Sequence, residues 1–300
     1  MAKKVIIIAG PTAVGKTAVA ISLAEELKTE IISADSRQCY KELKIGVARP
    51  SEEELAEVPH HFIASHSIHE QVNAASFERY ALEKASELFK KVDTIVIVGG
   101  TGLYIKAFCE GLDAIPEVPL DIRKQIIEDY EIKGLTWLQA CIEEEDPEFY
   151  KAGEIQNPQR LMRALEVKRA TGISVLVYRK GAKANREFDT IKVALELPRE
   201  KLYERINTRV DKMMEGGLEK EALALTPYRH LNALQTVGYG EMFDYFDGTI
   251  SLADAVTRIK TNTRHYAKRQ LTWFRKDPEY YWMTPEDLGL PGHLSAVINI

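Results

Sequence analysis

Three short stretches carry residues whose types and spacing can do chemistry. Residues 5–27, VIIIAGPTAVGKTAVAISLAEEL, hold Gly10, Gly15, Lys16 and Thr17 in the spacing G-x-x-x-x-G-K-[ST]. Glycines let such a loop curl until its N–H groups and the start of the following helix face an anion, while the lysine adds a positive charge. Gly10, Thr12, Ala13, Val14, Gly15, Lys16 and Thr17 are therefore expected to grip a phosphoanhydride, ATP or another diphosphate, with the Thr17 hydroxyl on Mg2+. The spacing does not choose ATP over another phosphoanhydride. In the second stretch, IISADSRQCY, Asp35 follows a short apolar run. A carboxylate there reads as a general base above the phosphate loop, a helix N-cap or an indirect partner of magnesium being the alternatives. The third, GGTGLY, offers close backbone approach and the hydroxyl of Thr101.

Positive charge is concentrated late in the chain. Residues 257–276, TRIKTNTRHYAKRQLTWFRK, carry seven Lys or Arg and no acid, although the whole chain has a net charge of -5. Lys260, Arg264 and Lys268 share one helical face, and Tyr266, Trp273 and Phe274 add aromatic surface. A solvated face would explain such a run, and so would a nucleic-acid backbone that neutralises it. QNPQRLMRALEVKR sets Arg160, Arg163 and Arg169 on a second helix, to touch phosphates or to pair with acids such as Glu166. His60, His61, His66 and His69 crowd PHHFIASHSIH without the ligand spacing of a zinc site, which points to a structural or loop role.

The elements that must position these groups follow from periodicity. Apolar runs at Val5–Ala9, Ile31–Ala34 and Thr94–Val98 read as buried parallel strands, separated by helical patterns at Ala18–Leu27 and Ala75–Phe89. Alternating strands and helices predict an α/β fold, a P-loop NTPase-like parallel sheet core with sites at the strand C-termini. From Pro116 the texture turns helical (Leu120–Tyr130, Thr136–Glu144, Gln159–Ala170), which predicts a mainly helical insertion over about 116–179. The core then comprises 1–115 and about 180–300: a strand at Thr190–Leu197, helices at Glu200–Met214 and Leu218–Leu225, and a last helix over Leu252–Phe274. With 45% hydrophobic and 28% charged residues, no membrane-length apolar run and three scattered cysteines (Cys39, Cys109, Cys141), the expected setting is the cytoplasm, without disulfides.

One absence narrows the chemistry. Many P-loop NTPases end a neighbouring strand in an Asp that organises Mg2+ and water. Here Thr94–Val98 runs instead into Gly99, Gly100, Thr101 and Gly102, and Asp93, before the strand, reads as a solvated turn residue.

The blocks GPTAVGKT, ISADSRQCYKELKIGVARP, PHHF, GGTGLYIKA, PQRLMRALEV, RINTRVDKMMEGGLEKE, TVGYGE and TRHYAKRQLTWFR resemble, in order and spacing, the bacterial tRNA dimethylallyltransferases, from Val5 to about Arg275. Cys39, Val47, Arg49 and Gly240 depart from the usual pattern, and the zinc finger that eukaryotic relatives often append has no counterpart. The resemblance implies transfer of a dimethylallyl group from dimethylallyl diphosphate to N6 of the adenosine 3′ of the anticodon, in tRNAs reading codons that begin with U. The phosphate loop would then hold a leaving group, with Mg2+ as cofactor, and no attacking water would be wanted after Val98. Asp35 would be the base and Thr101 would contact the tRNA beside it. Asp35, Ser36, Arg37 and Gln38 would read the flipped adenine. Arg123, Gln159, Arg160, Leu161, Met162 and Arg163 of the insertion, and Lys260, Arg264 and Lys268, would contact the anticodon stem-loop. A monomer is expected. Other readings are an isopentenyltransferase acting on free adenine nucleotides, a P-loop small-molecule kinase, and a non-catalytic RNA-binding ATPase.

Overall fold

The computed structural model describes residues 2–181 and 183–288. The chain divides into two compact units, 1–109 with 185–300, and 110–184.

The first unit is built on six parallel strands in the order β3-β2-β4-β1-β5-β6. They are β1 (Lys4–Ala9), β2 (Ile31–Ser33), β3 (His60–His61), β4 (Thr94–Gly99), β5 (Asp189–Leu195) and β6 (Tyr280–Met283). β1 lies centrally, its Ile6 opposite Val96 of β4 and Ile191 of β5. Val5, Ile6 and Ile7 are fully buried because helices cover both faces, which explains why the run is continuously apolar instead of alternating. The early helices are α1 (Lys16–Glu26), α2 (Glu52–Glu57), α3 (Ala74–Leu88) and α4 (Gly102–Glu110). Asn73 opens α3 as its cap, accepting from the N–H groups of Ala75 and Ser76.

The second unit holds α5 (Leu120–Glu145), α6 (Pro147–Ala152), α7 (Pro158–Thr171) and α8 (Val175–Tyr178). Gly134, at φ 74° and ψ −168°, kinks α5 and separates the two helical patterns expected there. Ile126, Leu138, Ile142, Phe149, Leu161 and Leu165 make a core within this unit, and its described residues contain no strand.

Back in the first unit, α9 (Arg199–Glu215), α10 (Leu218–Leu225), α11 (Tyr239–Phe246), α12 (Leu252–Phe274) and α13 (Pro285–Leu288) complete the fold. The bounds of α10 and α12 are those expected from the sequence. β3 and β6 were not expected: two and four residues are too short for a period to show. β3 makes an edge strand of the histidine-rich stretch, where the His61 ring pairs with Glu30 at 2.5 Å and His60 Nδ1 meets the Val58 carbonyl at 2.7 Å. No described helix is long and apolar enough to cross a membrane.

Candidate active site

The C-terminal ends of β1, β2 and β4 open into one cavity of about 1390 Å³, lined by Lys16, Thr17, Asp35, Gly99 and Gly100 among others. This is where a parallel sheet places ligands, because each strand ends there in a loop leading to a helix. The phosphate loop follows β1 directly. Gly15 caps α1 with no side chain on its free N–H groups, leaving a helix start open to an anion. Lys16 Nζ donates to the Pro11 carbonyl at 2.7 Å, within its own loop. Burial, and then the Arg209 guanidinium, push the Lys16 ammonium down to about 7, against the opposing pull of Asp35.

Asp35 stands at the end of β2. Its Oδ1 accepts from the backbone N–H of Arg37 at 2.8 Å and of Gln38 at 3.1 Å, the geometry of a cap, while Oδ2 makes no hydrogen bond to the described residues. One oxygen fixes the carboxylate and the other is available. Thr101, after β4, accepts from the Ser36 N–H at 3.1 Å and approaches the Ser36 hydroxyl at 3.3 Å. Tyr266 of α12 lines the same cavity; burial, and then Asp35, push its phenol up to about 12.

The glycines of GGTGLY serve close packing. A Cβ on Gly100 would lie 2.2 Å from Gln270 Nε2, and one on Gly102 would lie 2.1 Å from the Trp273 ring. Gln270 fills the space, donating to the Gly100 carbonyl at 2.9 Å and accepting from the Thr12 N–H at 2.9 Å. It therefore ties the basic helix to the phosphate loop. No acid stands at the end of β4, and Asp93, at its other end, is held by Lys3 at 2.7 Å.

Three residues at this site were not singled out from the sequence. Arg205 and Arg209, one turn apart on α9, reach the phosphate loop: Arg205 donates to the Val14 carbonyl at 3.0 Å and Arg209 to the Thr12 hydroxyl at 3.0 Å. Gln270 is the third. Arg205 and Arg209 open the block RINTRVDKMMEGGLEKE, yet nothing local ties that block to a loop nearly two hundred residues upstream, although their i, i+4 spacing on an amphipathic helix was visible.

The expected RNA contacts divide. Arg37 donates to the Asn232 carbonyl at 2.6 Å, and Gln38 Nε2 to the carbonyls of Val47 and Ala48, so both side chains hold neighbouring loops. Lys260 is paired with Asp211 at 2.6 Å and Arg264 lies over the Tyr203 ring, whereas Lys268 is exposed with no ion pair among the described residues. The run on α12 is thus partly neutralised by acids from other elements, Asp244 and Glu196 included. In the second unit, Gln159 and Arg160 are exposed, Arg160 paired with Glu154, while the buried Glu166 gathers Arg163 at 3.3 Å and Arg123 at 3.7 Å. Leu161 and Met162 are buried, at 0% and 6% exposure. Their side chains pack into the unit's core.

Comparison with known proteins bears on this geometry. Residues 38–277 match the model of a family described as IPP transferase. The chain belongs to the IPP transferase family. A tRNA dimethylallyltransferase of Cytophaga hutchinsonii is 47% identical over 286 residues, covering 95% of this chain and 94% of that protein. One from Christiangramia forsetii is 49% identical, covering 94% and 93%. Among solved structures, the tRNA isopentenylpyrophosphate transferase of Bacillus halodurans superposes with a TM-score of 0.71 at 33% identity, over 99% of this chain and 98% of that one. A eukaryotic dimethylallyltransferase described as acting on tRNA gives 0.78 at 26% identity, over 99% and 78%. The protein is an enzyme of the IPP transferase family with the α/β, P-loop-like core expected of it.

Proposed function

We propose that the enzyme transfers a dimethylallyl group from dimethylallyl diphosphate to N6 of the adenosine immediately 3′ of the anticodon, in tRNAs reading codons that begin with U. One observation carries the reading. A phosphate loop, two arginines and a carboxylate with a free oxygen share a cavity in which the end of β4 presents glycines where a hydrolase would present its water-organising acid.

The donor's diphosphate occupies the loop. As the allylic C–O bond breaks, negative charge grows on the departing oxygen, and the loop N–H groups, Lys16, Arg205 and Arg209 stabilise it. Lys16 then gives up the Pro11 carbonyl for a phosphate oxygen. The Thr17 hydroxyl offers a hard oxygen donor in the same cavity, which suits Mg2+, an ion that otherwise takes water and phosphate oxygens. When bound, that ion would neutralise further charge on the leaving group. The amine of adenine is a poor nucleophile until its proton is accepted. Asp35 Oδ2 takes that proton as the C–N bond forms, while Oδ1 stays anchored on the Arg37 and Gln38 amides. Thr101 orients the acceptor beside Asp35.

Lys268, Arg160 and Arg163 supply cations for the tRNA backbone. A monomer working in the cytoplasm fits this role. Transfer to a free adenine nucleotide uses the same donor chemistry, so competition decides the acceptor. Given equal adenosine monophosphate and unmodified anticodon stem-loop with limiting donor, the enzyme should prenylate the RNA. Prenylated mononucleotide as the main product would overturn the assignment.

A further inference from the structure

Residues 44–48 form a turn on the cavity wall, and Gly46, Val47 and Ala48 line the cavity. Ala48 has φ 46°, a left-handed conformation that an alanine keeps only when its surroundings impose it. Its carbonyl accepts from Gln38 Nε2 at 3.0 Å and from Arg209 Nη2 at 3.3 Å. Arg209 is thereby stretched between this turn and the Thr12 hydroxyl of the phosphate loop.

What imposes the turn is a carboxylate outside the reaction. Glu221, on α10, accepts from three successive backbone N–H groups: Lys44 at 3.1 Å, Ile45 at 2.8 Å and Gly46 at 2.9 Å. Consecutive N–H groups of this kind make an anion nest, and here the protein fills it with its own side chain. Tyr239 completes the clamp, donating its hydroxyl to Glu221 at 2.6 Å. Its ring is fully buried and lies so close to Gly46 that a Cβ there would come within 2.6 Å of it. Burial, and then the Glu221 charge, hold the phenol far above its ordinary range, so it stays a neutral donor.

We infer that Glu221 and Tyr239 are positioning residues for the diphosphate subsite: they lock the 44–48 turn, whose Ala48 carbonyl aims Arg209 at the phosphate loop. The inference rests on the reading of that loop as a diphosphate site. It differs from a purely structural role in one respect, since it routes the effect of Glu221 on ligand through Arg209.

The test is titration calorimetry of inorganic pyrophosphate with Mg2+ on the full chain, for the unmutated protein, Glu221→Gln, Arg209→Gln and the double variant. Glutamine keeps the size of Glu221 but brings an NH2 group against the nest's donors. Glu221→Gln should weaken pyrophosphate about tenfold when Arg209 is present and less than about threefold when it is absent. Equal losses in the two backgrounds would overturn the inference. Should Glu221→Gln fail to fold, Tyr239→Phe, which keeps the ring and removes one hydrogen bond, runs the same cycle with a smaller effect in the same direction; equal losses again overturn it. If the unmutated protein binds pyrophosphate yet forms no prenylated RNA, the functional reading falls and the cycle still decides this one. If it does not bind pyrophosphate, both fall.

Discussion

The two oxygens of Asp35 do different things, and that division makes its role testable. Oδ1 is held by two backbone amides, whereas Oδ2 is open to the cavity. Asparagine can keep the anchored oxygen and cannot accept the adenine proton. Asp35→Asn should therefore bind tRNA and pyrophosphate as the unmutated enzyme does and transfer about 10²–10⁴-fold more slowly, read by single-turnover quench; an unchanged rate would remove Asp35 as the base. Lys16 gives a second prediction at this scale. Its ammonium is pushed down to about 7 by burial and by Arg209, so a fraction is neutral at neutral pH. A diphosphate prefers the charged form, so binding takes up a proton. Donor affinity should be flat below pH 7 and fall above it, and Arg209→Gln, by removing a neighbouring positive charge, should move that fall to higher pH. Calorimetry in buffers of different ionisation enthalpy measures the proton uptake directly; none near pH 8 would contradict the assignment. The phosphate loop and Asp35 were legible in the sequence because local spacing defines them. Arg205, Arg209 and Gln270 were not, because only the packing of α9 and α12 over the sheet brings them there.

Helix α12 is where local pattern and tertiary placement meet. Its bounds followed from the sequence, since an amphipathic period over 23 residues is a strong signal. Its job did not. A run of cations without acids looked uncompensated, yet Asp211, Asp244 and Glu196 from other elements neutralise part of it, and only the fold could show that. The buried side of α12 carries Gln270, which joins Thr12 to Gly100. Gly100→Ala would drive a Cβ into the Gln270 amide, 2.2 Å away, and displace two hydrogen bonds, one buried and one partly buried. The expected cost is about 1–3 kcal/mol, seen as a thermal midpoint several degrees lower. In a Gln270→Ala background the obstacle is gone and the same substitution should cost much less. Equal costs in both backgrounds would show that Gly100 is needed for another reason. Likewise the glycine-rich end of β4 was ambiguous from sequence, and the structure explains Gly100 and Gly102 by the side chains of α12 that pack against them and Gly99 by the close backbone of Ala34.

At the scale of the whole molecule, strand and helix alternation was enough to place the nucleotide-style core. The helical unit 110–184 has its own core around Leu138, Phe149 and Leu165. Composition said little about function: a net charge of -5 conceals cations gathered on α7 and α12, so affinity for a polyanion had to be read from their distribution. The same architecture serves enzymes that move phosphoryl groups, and what distinguishes this one is which fragment it keeps. A kinase passes on the phosphate; on the proposed function the phosphate is discarded and the carbon chain is delivered. Mass spectrometry of nucleosides from an unmodified tRNA with adenosine beside the anticodon, incubated with enzyme, Mg2+ and either dimethylallyl diphosphate or ATP, tests that distinction most directly. Isopentenyladenosine in the first reaction alone is the expected result. No product there, with ADP accumulating in the second, would mean that the phosphate loop serves ATP and would contradict the assignment.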